Sequence, residues 1–464
     1  MKNVFKLLLI FSFVLVFSPK QSQATHVVGA DLTYFWVGGN TYQLKLYFYR
    51  DCGGVGAPSS ITLNANAPSC GFNQNYSLSQ VAAFEVPPQC NLGLSTCSGG
   101  SVYGIQEYVY KGTVTLPGNC ADWKFSYYVC CRNNAITNIT SPGSAGQYFY
   151  AYLDNLNVPG NSSPNFVNGP APFQCINSPF CFDMGAFDPD GDSLVYQMVN
   201  PMRNATNSVN WSTGYSTVYP INSSPLMNLN SLTGNVCIWP LSLGIYSMAI
   251  RVYEYRNGVL IGSIIRDIQQ NLSFCPCMVL PVSLIDFSSL FNKFDNSIEV
   301  KWSTASEQNN SHFILERSTD SRNFDFITNI EAAGNSSVQN DYKYTDHNAG
   351  DAPVIYYRLK EADKDGHEAI LKTIAQRNDR NIPFVKLLQN PIENEINLIF
   401  SNSSKGSYTV TLLTSQGEKA SEFTYTKQEG VRHFSVPLND ANSGMYFVRV
   451  SSNEEQQTFK VVKF

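Results

Sequence analysis

Histidine is scarce in this chain: five occur among 464 residues, His26, His312, His347, His367 and His433, and one of them lies in the first 311. The usual general base and commonest metal ligand is thus missing from most of the length. No H-E-x-x-H, G-x-S-x-G or P-loop sequence occurs, which leaves zinc peptidases, α/β-hydrolases and phosphate-cradling enzymes without their motifs. Charged residues make up only 14%, the net charge is −5 and no basic run is present, so nucleic acid is not an expected partner. Beyond the first two dozen residues there is no long apolar stretch, and no transmembrane segment is expected in the mature chain. No stretch longer than about ten residues holds a helical period.

The first residues carry their own signature. Lys2 and Lys6 precede an apolar run from Leu7 to Phe17, and Ser22-Gln23-Ala24 supplies a small-x-small cleavage pattern. This reads as a secretory signal peptide over residues 1–24, with the mature chain starting at Thr25. The apolar run is too short to span a bilayer. The protein is therefore expected to be secreted and to fold outside the inner membrane.

Cysteine is abundant at one end and absent from the other. All twelve lie between Cys52 and Cys277, and the last 187 residues contain none. In an exported chain such cysteines read as disulfides. Charge changes at the same place, with 21 Asp, Glu, Lys and Arg in residues 25–280 against 43 in residues 281–464. A charge-poor, disulfide-bearing part joins a charge-rich, cysteine-free part, and the total length calls for three or four domains.

What is present is period two. In "TYQLKLYFYRDC", Leu44, Leu46 and Phe48 share one face. In "GIYSMAIRVYEYRNGVLIGSIIRD", Tyr246, Met248, Ile250 and Val252 run in phase, the chain turns at Asn257-Gly258, and Val259, Ile261 and Ile265 return. An Asn-Gly pair between alternating runs is a strong hairpin signal. The expected fold class is all-β: several β-sandwiches of immunoglobulin, fibronectin III or cadherin type in tandem.

Strand alternation also suggests cysteine partners. In "DWKFSYYVCCRN", Trp123, Phe125, Tyr127 and Val129 share a face that Cys131 continues, while Cys130 points the other way. The two sulfurs should then find different partners. Cys52 extends the face of Leu44, Leu46 and Phe48, which makes Cys52 with Cys131 a candidate bridge. Cys90 with Cys97 and Cys175 with Cys181 could close small loops.

The segments "ATHVVGADLTY", "YFYRDCGG", "YVYKGTVTLPGNCADWKFSYYVCCRNNAITN" and "GAFDPDGDSLVYQMVNP" together resemble the amino-terminal module of large Bacteroidota cell-surface proteins, which often carry gliding-motility-associated or sorting C-termini. The resemblance covers about residues 25–275 and implies an exported β protein without naming an activity. Within it, "DPDGD" sets Asp188, Asp190 and Asp192 where they could gather the oxygen ligands calcium needs. The spacing is not that of an EF-hand, and a tight Asp-Gly turn explains the stretch equally. Similar Asp-rich loops bind calcium in cadherin-like modules, so structural Ca2+ is the only cofactor expectation. Residues 281–378 look like a fibronectin type III-like sandwich, with Trp302 on an early strand, Tyr356 or Tyr357 on a late one, and a hairpin turn at Asp365-Gly366. The expected divisions are 25–180, 181–280, 281–378 and 384–464.

The last segment ends in "TFKVVKF", a strand pattern where most chains fray. Asn390-Pro391 opens it, Gln416-Gly417 turns a hairpin, and Gly444 precedes "MYFVRV". It resembles the type A C-terminal sorting domain of the type IX secretion system. Asn390, Pro391, Gly444, Tyr446, Val448, Lys463 and Phe464 carry the match. The resemblance implies a reader, the type IX machinery at the outer membrane, which takes the chain from the periplasm, commonly removes this domain, and can attach the product to surface lipopolysaccharide.

Two function classes remain. A carboxylate-only glycosidase needs just two Asp or Glu, so scarce histidine does not exclude it. Yet no acidic residue stands out beyond Asp188–Asp192, and catalytic residues are expected to be none. The alternative class is a surface-displayed or adhesive module: 13% of the chain is aromatic, and "NWSTGYSTVYP" alternates Tyr with small polar residues as a contact surface for glycan or protein would.

Overall fold

The computed structural model describes residues 27–463 apart from 87–93, 171, 275–281, 293–294, 379–383, 389, 393, 401–405, 428–432, 439–440 and 454. The leader and its cleavage site, His26, Cys90 and Phe464 lie outside the described residues. Strands and their turns account for the fold, and among the described residues no helix is long and apolar enough to cross a membrane.

The first part is organised around one long hairpin, Gly244–Arg256 and Val259–Ser273, which turns at Asn257-Gly258. Both turn residues have positive φ, 53° and 78°, the geometry for which Asn and Gly are suited. The second strand of this hairpin gives its other edge to three partners in succession. Gly262–Ile264 meets Gln147–Leu153, Arg266–Ile268 meets Val27–Gly38, and Asn271–Ser273 pairs in parallel with Phe173–Cys175. A single 11-stranded sheet results, and it includes Ser193–Val199 beside the hairpin's first strand. The division expected at residue 180 therefore falls inside one sheet. Strand 259–273 must sit against the N-terminal strand because its apolar side chains Ile264 and Ile268 join the core of Leu32, Leu44, Leu46 and Trp123.

Two adjacent residues of that strand face opposite ways, and each buries a charge. Arg266 lies bidentate on Asp31, Nε to Oδ1 at 2.8 Å and Nη2 to Oδ2 at 2.5 Å, with its plane over the Phe166 ring. Asp267 receives Arg132, whose guanidinium also reaches Ser247 and the Met202 carbonyl. All four side chains are at most 2% exposed, and every charge has a partner, as burial requires.

The cysteines pair otherwise than strand alternation suggested. Cys52 bonds Cys97, Cys70 bonds Cys120 and Cys181 bonds Cys237. Cys52 therefore does not bridge to Cys131, Cys97 is not available to Cys90, and Cys175 does not pair with Cys181. Cys130 and Cys131 are bonded to each other. The alternation rule fails there because the strand ends at Val129, so neither cysteine belongs to it. Cys181 and Cys237 are direct cross-strand partners, a relation set by which strands meet in space and invisible to spacing.

Residues 282–378 form a sandwich of three strands (Val282–Asn292, Ser297–Glu307, Asn340–Asp346) on four (Asp325–Glu331, Asn310–Ser318, Val354–Asp363, Glu368–Arg377). Trp302 fills its centre, stacked on Tyr342 at 5.4 Å and edge-on to Phe313. Of the two late tyrosines, Tyr357 belongs to this core, and its hydroxyl donates to Asp346. Tyr356 instead accepts a hydrogen bond from Asn165 of the first part. Arg322 adds a second contact between the two parts by pairing with Glu107.

Candidate functional site

Two places in the molecule gather the residues that the sequence singles out. The first is the C-terminal sandwich. Val385–Leu387, Glu395–Phe400 and His433–Pro437 face Lys419–Lys427, Gly406–Thr414, Gly444–Ser451 and Gln456–Lys463 across a core of Ile396, Leu398, Phe400, Val410, Leu412, Val448 and Val461. The hairpin expected at Gln416-Gly417 is present, with the Gly417 N–H donating to the Thr414 carbonyl at 3.0 Å and Gly417 at φ +86°.

Gln456–Lys463 is the outer strand of its sheet, paired on one side with Gly444–Ser451. In that register Gly444 stands opposite Lys463, Tyr446 opposite Val461, and Val448 opposite Phe459. The strand's other edge is held by the segment that opens the domain. The Asn390 side chain accepts from the Val462 N–H and donates to the Lys460 carbonyl, both at 3.0 Å. Past Pro391, the Ile392 N–H donates to the Val462 carbonyl at 2.8 Å. Lys463 turns its ammonium onto the Ala441 carbonyl at 2.6 Å. Five of the seven residues that carry the sorting resemblance, Asn390, Gly444, Tyr446, Val448 and Lys463, thus meet at one strand, Pro391 lies between Asn390 and Ile392 beside it, and Phe464 lies outside the described residues.

The second place is the Asp-rich turn. Asp188 follows the short strand Ala186–Phe187, and its Oδ1 accepts from the backbone N–H groups of Asp190 and Asp192, both at 2.9 Å. Gly191 sits at φ +85°, so the tight Asp-Gly turn is real. The three aspartates do not converge. Asp190 turns its carboxylate to the Ser162 N–H at 2.7 Å. Asp188 and Asp192 are joined instead by Glu254 of the long hairpin, and one oxygen from each of the three lies within 4.8 Å of the others.

The surroundings of this trio are unusual. Glu254 is 0% and Asp188 5% exposed. Glu254 Oε1 accepts from Asn161 at 2.7 Å, while Glu254 Oε2 and Asp188 Oδ2 have no hydrogen-bond partner among the described residues. Arg256 lies bidentate on Asp192, Nε to Oδ1 at 2.7 Å and Nη2 to Oδ2 at 2.5 Å, and also donates to Asn161. Burial first, and then the charges of Asp190 and Asp192, push the Asp188 carboxyl up to about 7. Burial and the Asp188 charge hold Glu254 well above the usual carboxylate range. Burial works against the Arg256 guanidinium, but Asp192 outweighs it and keeps that charge in place.

Glu254 was not singled out by the sequence, although a signal for it was there. It continues the inward phase of Tyr246, Met248, Ile250 and Val252, so an acid stands where an apolar residue is due. The tyrosines of "NWSTGYSTVYP" do not form a free row. Tyr215 stacks on Tyr219 and packs against Tyr246 of the core. A different aromatic group lies half-buried on strands 147–153 and 244–256, where the Arg251 guanidinium sits 4.6 Å from the Tyr253 ring centre and 5.2 Å from that of Tyr152.

Residues 389–463 match the family described as secretion system C-terminal sorting domain. No curated protein matches the chain. Among solved structures, the chain is similar to a tetra-tandem repeat in the extending region of a large adhesion protein, at 11% identity over 92% of this chain and 96% of that one, TM-score 0.19. It is similar to the FN1–FN3 domains of chicken CNTN1 at 10% identity over 62% and 96% of the two chains, TM-score 0.18. It is also similar to the BSP domain of a biofilm associated protein at 9% identity over 96% and 98%, TM-score 0.16. These likenesses are distant, and no function is carried over from them. The sorting domain marks the chain as cargo of type IX machinery of the Bacteroidota kind, directed to the cell surface or the extracellular space.

Proposed function

We propose that this is a surface-displayed or released protein of structural or adhesive role, without catalytic activity, whose last sandwich is the part read by the type IX machinery. The observation that carries this reading is the clasp at the end of the chain. Asn390, Ile392 and Gly444 engage the final strand, and its Lys463 reaches the Ala441 carbonyl, all within the segment that matches the sorting family. An outer strand with a defined edge is a surface that another protein can read by main-chain and side-chain contacts. The rest of the chain is a series of sheets, which suits a spacer or contact module.

The test is export. A chain ended after Gln457 loses buried Val461 and both Asn390 contacts, and is expected to accumulate in the periplasm of a type IX-competent host. Export equal to that of the full chain would contradict the reading.

A glycan-binding role is the second reading, favoured by the half-buried tyrosines around Arg251 and Lys124 on one sheet face. Aromatic faces edged by cations suit sugar rings. Binding of the secreted chain to a glycan array, lost on Tyr152→Ala with Tyr253→Ala, would support it. Array signals unchanged by that double variant would remove it.

A further inference from the structure

The trio Asp188, Asp192 and Glu254 is neither a turn device nor an ordinary ion pair. The turn consumes only Asp188 Oδ1, and of the three acids Arg256 hydrogen-bonds Asp192 alone, its other contact being Asn161. Two carboxylate oxygens, Asp188 Oδ2 and Glu254 Oε2, are buried with no hydrogen-bond partner among the described residues. Buried carboxylate oxygens are ordinarily satisfied by donors or by a cation, because leaving one bare forfeits its hydration. Counting Asp190 beside them, four carboxylates face one guanidinium. The nearby charge is therefore strongly negative whenever the acids are ionised.

Space is kept open for this group. Gly262 stands directly across the hairpin from Glu254. A Cβ there would lie 2.4 Å from Glu254 Oε2 and 3.0 Å from the Tyr34 hydroxyl. Any side chain at 262 would thus occupy the space that the Glu254 carboxylate and Tyr34 now share. The Tyr34 hydroxyl donates a hydrogen bond to the Tyr152 carbonyl at 2.8 Å, which leaves an oxygen lone pair beside the acids.

We propose that Asp188, Asp192 and Glu254 bind a divalent cation, calcium, and that the ion ties the Asp-rich turn to the long hairpin. The donor set is all oxygen, with neither His nor Cys in the trio, which selects a hard cation over zinc. Calcium tolerates irregular oxygen geometry and completes its shell with water, whereas magnesium demands a near-ideal octahedron. The ligands come from a turn and a strand far apart in sequence, so the site forms only once the sheet has folded, and binding then stabilises the fold. Asp190 is outside the trio, and its carboxylate accepts from the Ser162 N–H instead.

The test uses the full secreted chain, stripped with a chelator and then titrated with calcium, with terbium as a luminescent probe sensitised by Tyr34. Calcium is expected to raise the melting temperature and to displace terbium. Glu254→Gln, which keeps the amide partner but removes the charge, is expected to weaken calcium about tenfold or more. In chelator, Glu254→Gln should melt no lower than the parent, which shows that it folds. Gly262→Ala, by filling the cradle, should weaken binding as well, while Asp190→Asn should leave it within about threefold. The proposal is overturned by a parent chain that neither shifts its melting with calcium nor sensitises terbium. It is overturned equally by binding that survives Glu254→Gln unchanged, or that falls with Asp190→Asn and not with Glu254→Gln.

Discussion

The Asn390 side chain grips the backbone of Val462, accepting its N–H at 3.0 Å across 72 residues of chain, and so ties the opening of the last domain to its final strand. Outer strands expose an unpaired edge and fray unless something covers it. Here the cover is one amide side chain plus the Ile392 N–H.

Replacing Asn390 by Ala should therefore loosen the strand without unfolding the sandwich. The two hydrogen bonds are exposed, and their loss is expected to lower stability by about 1 kcal/mol. Faster hydrogen exchange at the Val462 amide would register it. Unchanged exchange there would show that the clasp does not hold the strand.

The disulfides lie entirely in the first part of the chain. The bridges Cys52–Cys97, Cys70–Cys120 and Cys181–Cys237 span 45, 50 and 56 residues, and each is expected to contribute about 2–4 kcal/mol. Reductant should melt residues 27–274 and leave 282–463 folded, as followed by limited proteolysis. Thiol titration of the unfolded, unreduced chain that found most of the twelve sulfurs free would contradict this.

Arg266 and Asp31 form a deeply buried pair at the N-terminal strand, at 1% and 2% exposure. Arg266→Ala strands a carboxylate in the core and is expected to cost about 3–5 kcal/mol. Arg266→Met combined with Asp31→Asn removes both charges and should recover much of that loss. Urea unfolding of the three chains decides it. Equal losses in the single and double variants would mean that the charge itself is not what matters.

Glu361 makes stability depend on pH in the middle sandwich. It is 1% exposed, and neither carboxylate oxygen has a hydrogen-bond partner among the described residues. Burial, followed by the charges of Asp363 and Glu307, pushes it up to about 8, against about 4.3 in an unfolded chain. Between those values the folded state holds a proton that the unfolded state has lost. Stability should therefore fall as pH rises from about 4 to about 8, by on the order of a few kcal/mol, and level off above. Glu361→Gln should flatten this slope in urea melts of the 282–378 sandwich. A slope unchanged by the substitution would place the titrating group elsewhere.

The sheets were readable because alternation is local. The run Tyr246 to Val252 and the Asn257-Gly258 turn announce a hairpin from within a dozen or so residues, and the strands Gly244–Arg256 and Val259–Ser273 follow. Partnerships between distant strands were not readable. Which cysteine meets Cys52 depends on strand 41–51 pairing with strand 105–115, and whether the chain breaks at residue 180 depends on strand 259–273 returning to residue 31; no local pattern states either. The acidic site was half legible for the same reason: Asp188 and Asp192 stand in one motif, and Glu254 arrives from another strand. The sorting residues fared better, since Asn390, Gly444 and Lys463 belong to one short domain with its own pattern.

The most direct test moves the last domain onto a foreign cargo. Residues 384–464 fused behind a signal peptide and a fluorescent protein, in a type IX-competent host, should carry the fluorescence to the cell surface or the medium. The same fusion ended after Gln457 should stay in the periplasm. Fluorescence that remains periplasmic with the intact domain, or that leaves the cell without the final strand, would contradict the account.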